Sequence, residues 1–540
     1  MRVLAALAAL LIATPVAAQP PAPPEPHEEV FYHVFNRSMR DSNGDGHGDI
    51  QGMIDGLDYL KQLGVTSILL TPLYPSHLYH NYFASDFEGV DPEYGTMADY
   101  ARLVAEVKAR GMKIYLDQEM QYVTDDHVWW AEPLADRGSP YTDWILWDDR
   151  EGGLAEEGPF GLRAARNWSG RTTGITTVNL KNPEVKAYFD RYFMSWVDPN
   201  GDGDFSDGVE GFRIDHMMDD LDNKGLLTDL FDDFWIPLFT NLKTANPDLL
   251  ILAEQWDWGY GGDFLKRGGA DMAFAFPLRS AIRTFNRERI IDAIRGVADA
   301  TPEGKSQLIF VENHDMDRLS SDPGMTPERQ RTAAALTVLL RGTPMLYYGQ
   351  EIGMRGTVRP RFTTDERDIG VREGMEWRAK VDAPETPHWY RGDAIYWTEQ
   401  FSQDDDGVSV EEQDADPASL LNFYRRALAV RAAHPTLQRG SQTIQESAAG
   451  LLIIERWLDG DRMMIIANLT PSEAEYSMPG PDLLGGARKD GDRVFLRPWQ
   501  TALFHAPADG SVFPEIGDPD ADPAAARDLG AGPGAKVGGD

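Results

Sequence analysis

The sequence predicts a closed (β/α)8 barrel of the TIM type, with an excursion after its third strand and a small antiparallel β domain behind it. Three observations carry that expectation. Short apolar runs alternate with helical periodicity, each helix stopped by glycine, which is the mark of βαβ units and a parallel sheet. Eight strand candidates precede the end of that rhythm, the number that closes a barrel. After His434-Pro435 the helical spacing gives way to alternating runs broken by Asp/Gly turns.

Taken in order, residues 30–35 form the first strand candidate. Ile54, Leu57, Leu60 and Leu63 share one side of a helix that Gly64 ends. The second strand covers 66–70, a helix covers 97–109, and the third strand covers 112–116 after Gly111. The stretch from about 118 to 183 breaks the rhythm and is too long for a structureless loop. Its tryptophans (Trp129, Trp130, Trp144, Trp147, Trp168) point mostly to a core of its own. Strand candidates resume at 211–215, 249–253, 272–274, 308–311 and 345–348, and an amphipathic helix over 420–430 closes the barrel region. The expected division is a Pro-rich linker over 19–28, the barrel with its insert over 29–435, the β domain over 436–508, and a Pro/Asp/Gly/Ala-rich disordered tail over 509–540.

A formal net charge of -36 excludes nucleic acid as a partner, because phosphate contacts need basic patches. It also opposes docking to anionic lipid, and leaves a neutral ligand open. The absence of cysteine excludes disulfides, thiolate metal sites and cysteine nucleophiles. Met1-Arg2-Val3, the Ala/Leu-rich run to Ala13 and Val16-Ala17-Ala18 have the form of a signal peptide over 1–18, cleaved before Gln19. The run is short for a membrane span. The expectation is export to the periplasm or beyond, with no membrane insertion after cleavage.

Barrel sites of this class gather at the C-terminal ends of the strands. Those positions hold Asp117, Asp215, Glu254 and the pair His314-Asp315. Buried carboxylates repel one another, so stability alone does not explain four strand ends each supplying one. Arg213 shares a strand face with Asp215 and is expected to hold it ionised. Glu254 lies between Ile251-Leu252-Ala253 and Trp256, an apolar setting that raises a carboxyl pKa. A protonated carboxyl opposite an ionised one is the pair that glycosidic cleavage requires. Asp315 is placed to stabilise positive charge developing on a sugar ring.

Gly211-Phe-Arg-Ile-Asp215, Leu252-Ala-Glu254 and Phe310-Val-Glu-Asn-His-Asp315 resemble three signature regions of the α-amylase family, glycoside hydrolase family 13. Asp41-Ser-Asn-Gly-Asp-Gly-His-Gly-Asp49, Leu57–Gly64, Leu346–Gly353 and Asp416–Tyr424 extend the likeness from about Val30 through the small β domain. The resemblance implies a barrel with an inserted subdomain after the third strand and a C-terminal β-sandwich. It implies retaining double displacement at α-glucosidic bonds, with Asp215 as nucleophile, Glu254 as acid/base and Asp315 as transition-state stabiliser. Arg213, His314 and Tyr82 match supporting residues of the first sugar subsite, and Asp117 matches the aspartate of the first region. That region departs from the family in Asp117-Gln-Glu-Met-Gln121-Tyr122: Tyr122 replaces a sugar-binding histidine, and Gln121 an asparagine that often ligates a central calcium. Asn179 stands at a second ligand position, so the central calcium is expected to be missing. Met218-Asp219 and Phe83 also depart from the pattern, which bears on substrate length and cleavage position.

Asp41, Asn43, Asp45 and Asp49 alternate along a glycine-rich loop as hard-cation ligands do, with the carbonyl of His47 completing the set. The resemblance supports structural calcium there. Asp198, Asn200, Asp202, Asp204 and Asp207 repeat the alternation, without the twelfth-position Glu of an EF-hand (Val209), and form a second candidate loop beside the reading of a solvated turn. No organic cofactor is implied. The expected function is hydrolysis of α-linked glucans or oligosaccharides of the α-amylase, neopullulanase/cyclomaltodextrinase or α-glucosidase type. Glucosyl transfer or isomerisation at the same site is the first alternative. A non-catalytic carbohydrate-binding or interaction protein on the same fold is the second.

Overall fold

Eight parallel strands close a barrel: β1 (Phe31–Val34), β2 (Ser67–Leu70), β3 (Lys113–Gln118), β4 (Gly211–Met217), β5 (Leu250–Gln255), β6 (Met272–Phe274), β7 (Ser306–Ile309) and β8 (Thr343–Tyr347). Each strand pairs with its sequence neighbours, and β8 returns to β1 through Phe31↔Met345. The computed structural model describes residues 26–506 apart from 223, 361–363, 393, 396, 448 and 449. The expected signal peptide over 1–18, the expected tail over 509–540 and most of the expected linker over 19–28 lie outside the described residues.

The two-residue strand period sorts side chains into two cores. Phe31, Leu69, Tyr115, Leu252, Leu308 and Met345 point inward and fill the barrel. Tyr32, Ile68, Ile114, Phe212 and Ile251 point outward against the helices. The interior is layered. At its N-terminal end the carboxylate of buried Glu29 accepts from Lys113 Nζ (2.9 Å), Ser67 Oγ (2.7 Å) and Tyr115 OH (2.8 Å). The apolar layer lies above, and the inward positions next toward the C-terminal mouth are His33, Asp117, Arg213 and Glu254. Gly211 is required where β4 passes the ring of Tyr115. A Cβ there stands 2.0 Å from the Leu250 carbonyl oxygen and 2.8 Å from Tyr115 Cε1.

The first barrel helix spans Ile50–Leu63, a turn longer than its apolar spacing suggests, because Asp49 caps it by accepting from Gly52 N at 2.7 Å. The apolar run at 308–311 outlasts β7, since Phe310 and Val311 occupy core positions beyond the last pair, Ile309↔Pro344. The excursion carries an antiparallel sheet (Tyr122–Thr124, Thr172–Thr177, Ala164–Arg166) and a short hairpin (Trp147–Asp149, Leu154–Ala155). Trp129 and Trp144 pack there, with ring centroids 4.9 Å apart, against Phe87, Tyr188 and Phe189. Behind the barrel, a four-stranded sheet (Ser441–Gln445, Leu452–Leu458, Asp461–Ala467, Thr501–His505) faces a three-stranded one (Ala474–Ser477, Arg493–Leu496, Arg488–Asp490). Ile453, Ile466, Val494 and Phe504 share one core between the two sheets, which makes the domain a sandwich.

Gly211→Ala is expected to destabilise the barrel by about 3 kcal/mol, the upper range for overpacking a core. Urea unfolding measures it, and an unchanged midpoint would mean that β4 and β5 separate at this point without cost.

Candidate active site

Arg213 is the hub of the barrel mouth. Its Nη1 donates to Asp117 Oδ1 and Oδ2 (2.7 and 2.6 Å) and to Asp215 Oδ1 (2.6 Å), while Nη2 donates to Glu254 Oε2 (2.6 Å). Sheet register produces this convergence. Asp117 pairs with Arg213 across β3 and β4, and Arg213 pairs with Leu252 across β4 and β5. One inward step up each strand therefore brings Asp215 and Glu254 together. At that step the pairing slips, since Ile214 meets Ala253 but Met217 meets Gln255, so that Asp215 and His216 lie opposite Glu254. His216 lies in this irregular stretch with φ 47°, a left-handed value uncommon for a non-glycine residue. Its N–H donates to Glu254 Oε2 at 3.2 Å.

The opposite wall is built on Tyr82 and His314. The Tyr82 hydroxyl donates to Asp117 Oδ2 at 2.6 Å and lies 3.0 Å from His314 Nε2. With Asp117 ionised, the single proton of that hydroxyl goes to Asp117, and His314 Nε2 then carries the proton of their contact. Nε2 is also 3.3 Å from Asp315 Oδ1. Asn81 and Phe83, both at positive φ (62° and 64°), flank Tyr82 and set its presentation. Tyr122 is buried, edge-on to Phe83 at 5.8 Å, on the first strand of the excursion sheet.

All the strand-end carboxylates thus meet at one mouth, and Arg213, His314 and Tyr82 meet there with them. Two expectations change. Trp256 does not supply an apolar wall for Glu254, being 57% exposed; the barrel interior itself buries Glu254. Arg213 does not hold Asp215 securely ionised. One guanidinium is shared by three carboxylates, and burial, with the charges of Asp117 and Asp315, raises Asp215 to about 7. Burial likewise raises Glu254 to about 7 and Asp117 to about 6, against the pull of Arg213. One cation does not neutralise three buried carboxylates, so the cluster retains protons near neutrality.

Three contributors carried no strand-end signal. Arg372, from the long segment after β8, donates to the His314 carbonyl (2.8 Å), Asp315 Oδ1 (3.0 Å) and Tyr79 OH (2.9 Å). Buried Glu119 accepts the backbone N–H groups of Gln121, Tyr122 and Phe83 (2.6, 2.9 and 3.3 Å) and so fixes the turn after β3. Gln121, considered at sequence level only as a replaced calcium ligand, donates to the carbonyls of Asp215 (2.7 Å) and His216 (3.0 Å). Asn179 donates to the Asp143 carbonyl at 3.0 Å.

The two Asp-rich loops fold alike. Asp41 accepts from the N–H groups of Asn43, Gly44 and Gly46, and Asp198 from those of Gly201, Asp202 and Gly203. Asn43, Asp45, Asn200, Asp202 and Asp204 each accept from the residue two positions on. Asp49 accepts in the same manner, from Ser42 N, the Ser42 hydroxyl and Gly52 N. His47 Nδ1 lies 2.7 Å from Arg37 Nη1. Among the described residues no three His, Cys, Asp or Glu side chains gather to hold a metal ion.

Residues 33–440 match the family described as "Alpha amylase, catalytic domain". The chain belongs to the α-amylase family. It is similar to alpha-amylase 3 of Dictyoglomus thermophilum, 27% identical over 475 residues that cover 84% of this chain and 88% of that one. It is similar also to a trehalose synthase/amylase of Mycobacterium tuberculosis, 30% identical over 485 residues, 77% of each chain. Its fold is that of the solved alpha-amylase from H. orenii, with a TM-score of 0.70 and 23% identity over 88% of this chain and 99% of that one. Among α-amylase-family enzymes, which are glycoside hydrolases, this chain is thus placed by fold and sequence together.

The raised carboxyls give a signed prediction. Asp117, Asp215 and Glu254 bind protons more tightly in the folded enzyme than in the unfolded chain, so their contribution to stability falls as pH rises from about 4 through about 7. Asp215→Asn removes one such group and should flatten the fall in melting temperature over that window. An identical slope in wild type and variant would refute the shared-proton cluster.

Proposed function

We propose that the protein is an exported, retaining hydrolase of α-glucosidic bonds that acts on malto-oligosaccharides, starch fragments or cyclodextrins. The observation that carries this reading is the double hold of Arg213, which binds Asp215 and Glu254 through the two ends of one guanidinium. Two carboxyls facing one another across that guanidinium are the pair glycosidic cleavage requires, and membership of the α-amylase family favours direct attack by one of them over activation of a water between them.

The contacts support the roles that the family resemblance implies. Asp215 Oδ1 is occupied by Arg213, leaving Oδ2 to attack the anomeric carbon. Glu254 Oε2 accepts from Arg213 and from His216 N, leaving Oε1 to carry the proton that the departing glycosidic oxygen takes up. The first step makes a glycosyl ester on Asp215 and frees an alcohol. In the second, ionised Glu254 removes a proton from water, whose oxygen displaces Asp215 and restores both groups. Asp315, anchored by Arg372 and beside His314 Nε2–H, offers negative charge to the oxocarbenium-like transition state. Tyr82, Tyr122, Asp117 and His314 line the first sugar subsite.

A second reading, glucosyl transfer or isomerisation, is favoured by the 30% identity to the trehalose synthase/amylase. The glycosyl ester is common to both readings, and they differ in whether water or a sugar hydroxyl resolves it. Export rests on the leader-like form of residues 1–18; among the described residues no helix is long and apolar enough to cross a membrane. Calcium in the loop at 41–49 would be held by Asp41, Asn43, Asp45, the His47 carbonyl and Asp49, and would brace the chain entering the first barrel helix. The loop at 198–207 shares that backbone fold and is the second candidate.

Asp215→Asn, Glu254→Gln and Asp315→Asn should each lower kcat by about 10³-fold or more. The kcat profile of wild type should be bell-shaped, falling on the acid side as Asp215 protonates and on the alkaline side as Glu254 loses its proton. A product time course on maltoheptaose, cyclodextrin and pullulan, repeated with excess maltose, separates the readings: rearranged or longer sugars as the main products would overturn hydrolysis. Calcium titration of metal-free enzyme should raise its melting temperature, and the rise should be lost in Asp41→Asn. No rise would remove calcium from the account.

A further inference from the structure

Three buried ring nitrogens beneath the site have no hydrogen-bond partner within the protein: both of His33, and Nδ1 of His314. Buried polar atoms are nearly always satisfied, by protein or by ordered water. These atoms belong to neighbouring rings, with centroids 5.0 Å apart and planes at 86°. Both residues are 1% exposed. His33 projects inward from β1, one step above Phe31, and its other ring neighbour is Tyr347 at 5.6 Å. The charged groups facing the pair are Arg213, Arg372 and Asp315, and His80 is a further titratable neighbour of His314.

With Asp117 ionised, the contacts of Tyr82 call for a proton on His314 Nε2, so Nδ1 is a bare acceptor that must find a donor. A neutral His33 has one donor and one acceptor nitrogen, both unsatisfied by protein, beside that acceptor. A water bonded to His33 can give its own proton to His314 Nδ1, and it then has the two polar partners that a buried water needs. Such a link from below fixes which nitrogen of a working histidine carries the proton, as outer partners do for metal-bound imidazoles.

We propose that His33 is a positioning residue of the active site, holding His314 through one ordered water in the Nε2–H tautomer that faces Tyr82, Asp315 and the sugar. The proposal rests on the reading of His314 as a group of the first sugar subsite. His33 contributes no atom to the reaction. Its effect is to keep the Nε2–H donor aimed at the mouth, so that the ring neither flips nor changes tautomer when substrate enters.

The test uses the full-length enzyme and two variants. His33→Gln keeps a donor and an acceptor near the same place and should retain kcat within about threefold. His33→Phe keeps a ring without nitrogen and should lower kcat about tenfold, with its tautomer signature altered. Nitrogen NMR of wild type should show His314 protonated at Nε2 alone, with Nδ1 hydrogen-bonded, and His33→Phe should show mixed tautomers or an unbonded Nδ1. A His33→Phe variant with wild-type kcat and an unchanged His314 signature would reduce His33 to packing and overturn the proposal. Wild-type His314 protonated at Nδ1 would overturn it regardless of activity, even if His33→Phe failed to fold. Because the tautomer is read without substrate, its failure is distinguishable from failure of the glycosidase reading, which Asp215→Asn decides.

Discussion

The mouth of this barrel depends on one guanidinium shared among three carboxylates. Arg213 is almost wholly buried, and its terminal nitrogens reach Asp117, Asp215 and Glu254 at hydrogen-bonding distance. Removing one partner of such a buried cluster is costly because the others are left unpaired, by about 3–5 kcal/mol in comparable cases. The same sharing has a chemical result. Burial, with one cation divided three ways, leaves the group with protons to distribute near neutrality.

Everything around that hub serves to place it. Strand register aligns Asp117 with Arg213 and Arg213 with Leu252, and the slip above Ile214 brings the His216 N–H to the carboxylate of Glu254. Below lies an aromatic and aliphatic layer, and below that the network of Glu29, Lys113, Ser67 and Tyr115 closes the barrel floor. The layering separates tasks: polar groups at the floor satisfy one another, while polar groups at the mouth are left partly open toward a ligand. Asp215 and Asp315, with side chains 19% and 29% exposed, are the parts of the cluster that solvent or substrate reaches.

How much could be read from the residues varies with the range of the interaction. The barrel strands were legible because an inward or outward position is a local, two-residue matter, and Phe212 and Ile214 point away from the site as their spacing indicates. Asp117, Asp215 and Glu254 were legible because a strand's C-terminal end is also local. Arg372 was not: it stands 57 residues beyond Asp315, in a segment without periodicity, and only folding brings the two within 3.0 Å. That Asp49 caps the first barrel helix was not legible either, because an N-cap and a metal ligand draw on the same residue types, and only the fold shows which backbone N–H lies within reach, here Gly52 N.

The sequence by itself determined the alternation of strands and helices, the family signatures and the inventory of carboxylates at strand ends, because each depends on residues within a few positions of one another. Tertiary structure alone decided how charge is divided. Asp215 looks from its own strand to be the private partner of Arg213, yet Asp117 and Glu254, from two other strands, claim the same cation, and burial with their mutual repulsion raises all three carboxyls. Protonation in such a cluster is set by distances across the barrel and by burial, and neither is a property of any one stretch of chain.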